Sequence, residues 1–286
     1  MDRWKVILKY VGLCVGVALL IVFFAWAERG VNRHQAQKTG KVYFDSIPEW
    51  VSDELRMELV GLVGGAEFEL QEGVARQLGR DLERSPWLEQ VRVQTQADRL
   101  LVSAQWRKPL ARIVGRGGDY YVDADGVALK VLALPSLPIV AFKNVAPISG
   151  VPWGSVVPCD DVQAGLALIK ALADMDRVMA QKARQAGKEV QLSLLWELQT
   201  LDLANYNGRV DENKPHLIFQ SKDGTAVVWG AELGAWGRHL EVQDDQKLAR
   251  LYTYYHHDRP LQTGPPPAIL RLYLPQGQMP QPIYRY

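Results

Sequence analysis

The chain has 286 residues, with 33 Lys+Arg against 32 Asp+Glu and a formal charge of +1. That length suits an anchor and two small domains, at roughly 100–200 residues per domain. Balanced charge without a basic stripe argues against a nucleic-acid binder: Arg107, Lys108, Arg112 and Arg116 are spread over a strand and a turn and read as solvated positions.

Residues 1–10 read as a short cytoplasmic tail. Val11 to Ala27 is uncharged, and the apolar run reaches back to Val6 if Lys9 snorkels to the interface. A helix needs about 20 apolar residues to cross the hydrocarbon, and Trp4, Tyr10 and Trp26 stand where interfacial aromatics belong. The run predicts an N-terminal transmembrane helix over 11–27. Ala25-Trp26-Ala27 mimics a signal-peptide cleavage site, but Phe23 and Phe24 crowd it and the run exceeds the roughly 7–15 residues of a signal core. Arg3, Lys5 and Lys9 precede the segment, and Arg29, Arg33, Lys38 and Lys41 follow it, so the positive-inside count leaves the orientation open. With Cys14 inside the apolar run and Cys159 far outside it, the two cysteines cannot pair in a chain that spans a bilayer.

Residues 28–40 are polar, basic and without periodicity, a linker. Residues 42–44 are a candidate first strand. Asp45 to Pro48 then leads into a helix running to about Val63, with Val51, Leu55, Leu59 and Leu62 on its stripe and Gly64-Gly65 at its end. A second helix over 70–84 carries Val74, Leu78 and Leu82. A hairpin follows: Val91, Val93 and Thr95 share one face, Ala97-Asp98 turns, and Leu100, Val102, Ala104 and Trp106 alternate with polar neighbours. The order β-α-α-β-β over 41–110 is the layout of a POTRA-like module.

Residues 111–275 read as a mainly antiparallel β-domain with flanking helices. Residues 119–122 and 127–132 flank Asp123-Ala124-Asp125-Gly126, a turn signal. Pro-Gly punctuation runs from Pro135 to Pro158. A helix from about Asp160 keeps Val162, Leu166, Ile169, Leu172 and Met175 at helical spacing, and the polar stretch 181–189 ends it. Short strands are expected at 198–203, 217–220 and 225–229, a helix at 246–256 with Leu248, Leu251 and Tyr255 on one side, and a last strand at 269–274. Residues 276–286 are a Pro-rich tail. The predicted fold class is thus α+β: transmembrane helix, POTRA-like module, β-domain.

Three short strings carry a resemblance. Trp87-Leu88-Glu89-Gln90-Val91-Arg92-Val93 resembles the W-V-x-x-V-x-V opening of the hairpin in the FtsQ/DivIB family of bacterial cell-division proteins. Arg107-Lys108-Pro109-Leu110-Ala111 resembles that family's E-R-x-P-x-A exit, with Trp106 in place of the acidic residue, and Tyr121 to Gly126 resembles its V-D-x-x-G turn. The similarity extends in element order from about Lys41 to Pro275. It implies a bitopic divisome adaptor in the cell inner membrane, with its C-terminal bulk periplasmic. The implied partners resemble FtsB/DivIC and FtsL, small coiled-coil membrane proteins. The alternative is a POTRA-bearing envelope secretion or assembly component that handles polypeptides.

No catalytic, cofactor or metal constellation emerges from the sequence, and no small-molecule substrate is expected. Asp123-x-Asp125-Gly126 has its glycine too early for an EF-hand loop and lacks the closing glutamate. His256-His257 point about 100° apart on a helix and do not readily chelate one metal. Gly115-Arg116-Gly117-Gly118 lacks the Gly-Lys-Ser/Thr of a phosphate loop, and the string around Ser155 lacks the second glycine of a G-x-S-x-G nucleophile elbow. Cys159, beside Pro158 and Asp160, reads as a small residue at a helix start.

The candidate partner surface is the last strand and the helix before it. Alternation puts Ile269, Arg271 and Tyr273 on an outward face and Leu270, Leu272 and Leu274 toward the core. Tyr252 and Tyr255 join the surface set because aromatics bury large area at interfaces. If the strand is an edge, its unpaired N–H and C=O groups offer a ladder to a partner strand; if it is an inner strand, its tyrosine only packs.

Overall fold

The computed structural model describes residues 22–23, 39–115, 118–148, 150–190, 192–257 and 269–275. They fall into two compact units, one ending at Trp106 and one beginning at Arg107.

The first unit runs β1 (Thr39–Phe44), α1 (Asp53–Leu62), β2 (Glu67–Glu69), α2 (Glu72–Glu83), β3 (Leu88–Thr95) and β4 (Arg99–Trp106). Its sheet has the order β2-β1-β4-β3, with β1 parallel to β4 and the other pairs antiparallel. Ser52 caps α1 by accepting the Leu55 N–H at 3.3 Å, and Asp53 and Glu54 complement the positive end of the helix. Leu55 and Leu59 of α1 and Ala75, Leu78 and Leu82 of α2 are buried with Trp87, Leu100 and Val102. The four-residue spacing of Leu78 and Leu82 therefore does what its periodicity predicts, and each fully buried leucine contributes about 1.5–3 kcal/mol. In β3 the pairing shifts register between Glu89 and Arg92, and Gln90 adopts φ 53°. This bulge lets Leu88 and Val91, three apart, both face the core.

The predicted β-α-α-β-β order is corrected to β-α-β-α-β-β. Strand β2 pairs antiparallel with β1, Thr39 opposite Glu69. Its sequence Glu-Phe-Glu holds one apolar residue and no period to read. The transmembrane helix finds no support either: among the described residues no helix is long and apolar enough to cross a membrane. Apart from Val22 and Phe23, the expected span 11–27 lies outside the described residues, as do residues 1–10, most of the linker and the tail 276–286.

The second unit comprises β5 (Pro109–Ile113), β6 (Tyr120–Asp123), β7 (Ala128–Leu129), β8 (Val140–Lys143), α3 (Asp160–Gln185), β9 (Leu198–Asp202), β10 (Leu217–Ser221), β11 (Ala226–Gly230), α4 (Asp244–His257) and β12 (Ile269–Arg271). They form one eight-stranded sheet, β12-β11-β10-β9-β8-β5-β6-β7. The expectation of a mainly antiparallel domain is corrected: β5/β8, β8/β9 and β11/β12 pair in parallel. Helix α3 carries the chain from β8 to β9, and α4 carries it from β11 to β12. Such crossovers return the chain to the end from which it started and so make the flanking strands parallel.

Both helices bear on one buried core that includes Phe142, Leu201, Phe219 and Trp229 of the sheet with Leu166, Leu172 and Leu251 of the helices. They also touch each other, for the Tyr252 hydroxyl of α4 lies 2.8 Å from the Leu172 carbonyl of α3. Gly165 lets α3 lie close to the sheet. A Cβ there would sit 2.7 Å from Phe142 Cε2 and 3.3 Å from Leu201 Cδ2.

Candidate functional site

Strand β12 ends the sheet. Among the described residues it pairs with β11 alone, Ala226 opposite Ile269 and Val228 opposite Arg271. Leu270 and Leu272 are buried, while Ile269, Arg271 and Tyr273 are half-buried, as the alternation predicts. The Leu272 N–H donates to the Val228 carbonyl at 3.0 Å. Strand backbones alternate direction, so the N–H and C=O of Ile269 and Arg271 are directed off the sheet, away from β11. The strand stops at Arg271 instead of running to Leu274 because other groups take its acceptors. Arg250 Nη1 donates to the Leu272 and Leu274 carbonyls at 3.0 and 2.6 Å, and the Val242 N–H donates to the Tyr273 carbonyl at 3.2 Å. Leu274 is half-buried and leaves the leucine face predicted for it.

Tyr252 and Tyr255 sit in the core and present no partner surface in this structure. Tyr252 donates to Asp176 Oδ1 at 2.6 Å, and Tyr255 to the Leu192 carbonyl at 3.1 Å. Burial, with Asp176 beside it, pushes the Tyr252 phenol far above its ordinary range. A tyrosine satisfies both needs of this position, since its ring fills the core and its hydroxyl meets a buried acceptor. The predicted set thus divides: Ile269, Arg271 and Tyr273 lie together at the edge, and Tyr252 and Tyr255 lie beneath it.

Asp123 shapes its turn, as expected, and does more. Its Oδ1 accepts the Asp125 and Val127 N–H groups at 2.9 and 2.8 Å, and its Oδ2 accepts from Arg107 at 2.7 Å. The Asp123 side chain is 5 % exposed and that of Asp125 76 %, so only the first is structural. The arginine of the exit string and the aspartate of the turn string are therefore one ion pair. Cys159 is the residue before α3, and burial pushes its thiol up, which makes it a poor nucleophile.

Two groupings escaped the sequence reading. Lys247 of α4 is completely buried, with Nζ 2.6 Å from Glu241 Oε2, 3.6 Å from Asp244 Oδ1 and 5.2 Å from the Trp229 ring centroid. Glu241 also accepts the Ala231 N–H at 3.0 Å. Gly230 makes room for this carboxylate: its φ is +103°, and a Cβ would lie 2.5 Å from the Glu241 oxygens. A signal for Lys247 was present, since it falls four residues before Leu251 and eight before Tyr255 on the buried stripe.

The second grouping is His216, Glu232 and His239. His216 Nδ1 lies 3.2 Å from both Glu232 oxygens, and the His216 and His239 rings meet edge to face at 4.6 Å. His216 is buried, Glu232 half-buried and His239 exposed. Burial alone would raise the Glu232 carboxyl, but backbone N–H groups and the facing His216 hold it below the ordinary carboxylate range. Spacing in the chain hides this set; the β10–β11 pairing, Leu217 opposite Gly230, brings it together.

No protein-family model matches this chain, and no curated protein matches it.

Proposed function

We propose that this chain is a bacterial cell-division adaptor of the FtsQ/DivIB kind. It acts at the inner membrane from the periplasmic side and holds small single-pass division proteins at the septum by strand addition. The reading rests on the resemblance in residues 87–93, 107–111 and 121–126, and the observation that supports it is that, among the described residues, no strand pairs with β12 on the side away from β11. An added strand would take the outward N–H and C=O groups of Ile269 and Arg271 into a ladder, and the half-buried side chains beside them would read its sequence. The partners would resemble FtsB/DivIC and FtsL in being small, single-pass and largely helical, with an extended segment that docks here.

The test is Arg271→Pro in the full chain. Proline removes one outward N–H and is tolerated on an edge whose N–H faces solvent. Circular dichroism should stay at the wild-type value while small single-pass envelope proteins cease to co-purify from membranes. A folded variant that retains them would place the binding surface elsewhere and sink strand addition at β12.

A further inference from the structure

Independently of any partner at β12, we infer that His216, Glu232 and His239 form a binding site for a divalent transition metal, zinc first. One ring nitrogen of each histidine and one carboxylate oxygen lie within 4.8 Å of one another. Two imidazoles and one carboxylate are a donor set suited to zinc, which takes nitrogen at about 2.0–2.1 Å and carboxylate oxygen at about 2.0–2.2 Å in tetrahedral array. Those bond lengths separate neighbouring ligand atoms by roughly 3.3 Å. His216 Nδ1 and the Glu232 oxygens already stand 3.2 Å apart. The spacing also permits a hydrogen bond between the two groups, and an ion placed between them would replace that bond with little movement of either side chain.

The two inner donors are held in place. The His216 N–H donates to the Gly230 carbonyl at 3.1 Å, which fixes the residue at the start of β10. The Asn207 N–H donates to Glu232 Oε1 at 2.8 Å and orients that carboxylate. The loop that supplies Asn207 is itself pinned. Asn205 Nδ2 donates to the carbonyls of Asp211 and Lys214, each at 2.9 Å, and Arg209 ties the loop to Asp161 of α3 at 2.6 Å. Outer-shell bonds of this kind set ligand orientation in metal sites. The third donor, His239, lies in the exposed turn between Trp236 and Glu241, where its ring already meets that of His216. With His239 at the surface, water or a donor from another molecule would supply the fourth ligand.

The experiment uses the full chain, stripped with a chelator and titrated with zinc against a chromophoric indicator. One equivalent should bind in competition with the indicator. His239→Ala and Glu232→Gln should each weaken it at least about tenfold, with circular dichroism unchanged. His239 is exposed, so its loss does not threaten the fold. The double change His256→Ala/His257→Ala should leave zinc affinity as it is. The inference is overturned if the indicator keeps all the zinc, if His239→Ala binds as wild type does, or if the His256/His257 change abolishes binding instead.

Discussion

Replacing Lys247 with methionine isolates the buried charge beneath β11. Methionine matches the lysine stem in length, so little cavity forms and the effect is electrostatic. The change strips Glu241 of the ammonium at 2.6 Å and leaves its carboxylate, 9 % exposed, with the Ala231 N–H. Removing one partner of a buried pair destabilises by about 3–5 kcal/mol. The lost ammonium over the Trp229 ring, at 5.2 Å, accounts for about 0.5–2 kcal/mol of that loss. For a unit of this size each kcal/mol shifts the melting temperature by about 2–4 °C, so the expected drop is about 6–20 °C. The assay is calorimetric melting of the full chain, read in the transition of the unit that begins at Arg107. A second variant, Lys247→Met with Glu241→Gln, removes both charges and should recover at least half of the loss, because the uncompensated carboxylate is gone. A single variant within about 1 kcal/mol of wild type would refute the reasoning, as would a double variant no better than the single one.

Gly165→Ala should destabilise by about 1–3 kcal/mol in urea melts, since its Cβ would stand 2.7 Å from the Phe142 ring and force α3 off the sheet. Asp125→Asn should stay within about 0.5 kcal/mol of wild type, whereas Asp123→Asn should cost about 1–3 kcal/mol because Arg107 loses its buried counter-charge; equal effects would contradict the division of roles in the turn. Burial, with Cys159 nearby, pushes the Tyr120 phenol up to about 12 from 10.0, and Tyr252 is raised further. A raised folded-state value means the stability is whole below pH 10 and is lost as pH climbs through about 12. Tyrosinate absorbance should therefore show a late group of tyrosines that ionise together with unfolding.

The elements that were legible in the sequence are those whose side chains alternate in one unbroken rhythm. Strand β4, α2 and the Leu270/Leu272 face of the last strand all follow from spacing alone. What broke the rhythm was a backbone event, as at Gln90, where a bulge inserts a residue and moves Leu88 to the core side. Strand direction left no trace, because Val140 and Phe142 alternate identically whether their neighbours run parallel or antiparallel. Length mattered too: β2 and β8 are three and four residues long and lie among turn residues. The site residues divide by the same logic. Tyr252 and Tyr255 have surface-favouring chemistry, yet their spacing from Lys247 and Leu251 commits them to the core. His216, Glu232 and His239 are joined only by tertiary pairing, which no local pattern announces.

The brevity of β12 sets how easily this corner opens. Three residues that pair with β11 alone among the described residues, with Arg250 holding the chain beyond them, make a small cooperative unit. Local opening free energies are lowest where backbone bonds are few and near solvent. The Leu270 and Leu272 amides should then exchange with solvent well before those of β9 and β10, which are flanked on both sides. When β12 lifts away, the edge passes to β11 and its Val227-Val228-Trp229 run, one of the most β-prone stretches of the unit. The same departure that frees β12 from one chain leaves a vacancy of matching register for the β12 of another, so strand exchange between copies becomes the accessible misassembly of this domain at high local concentration.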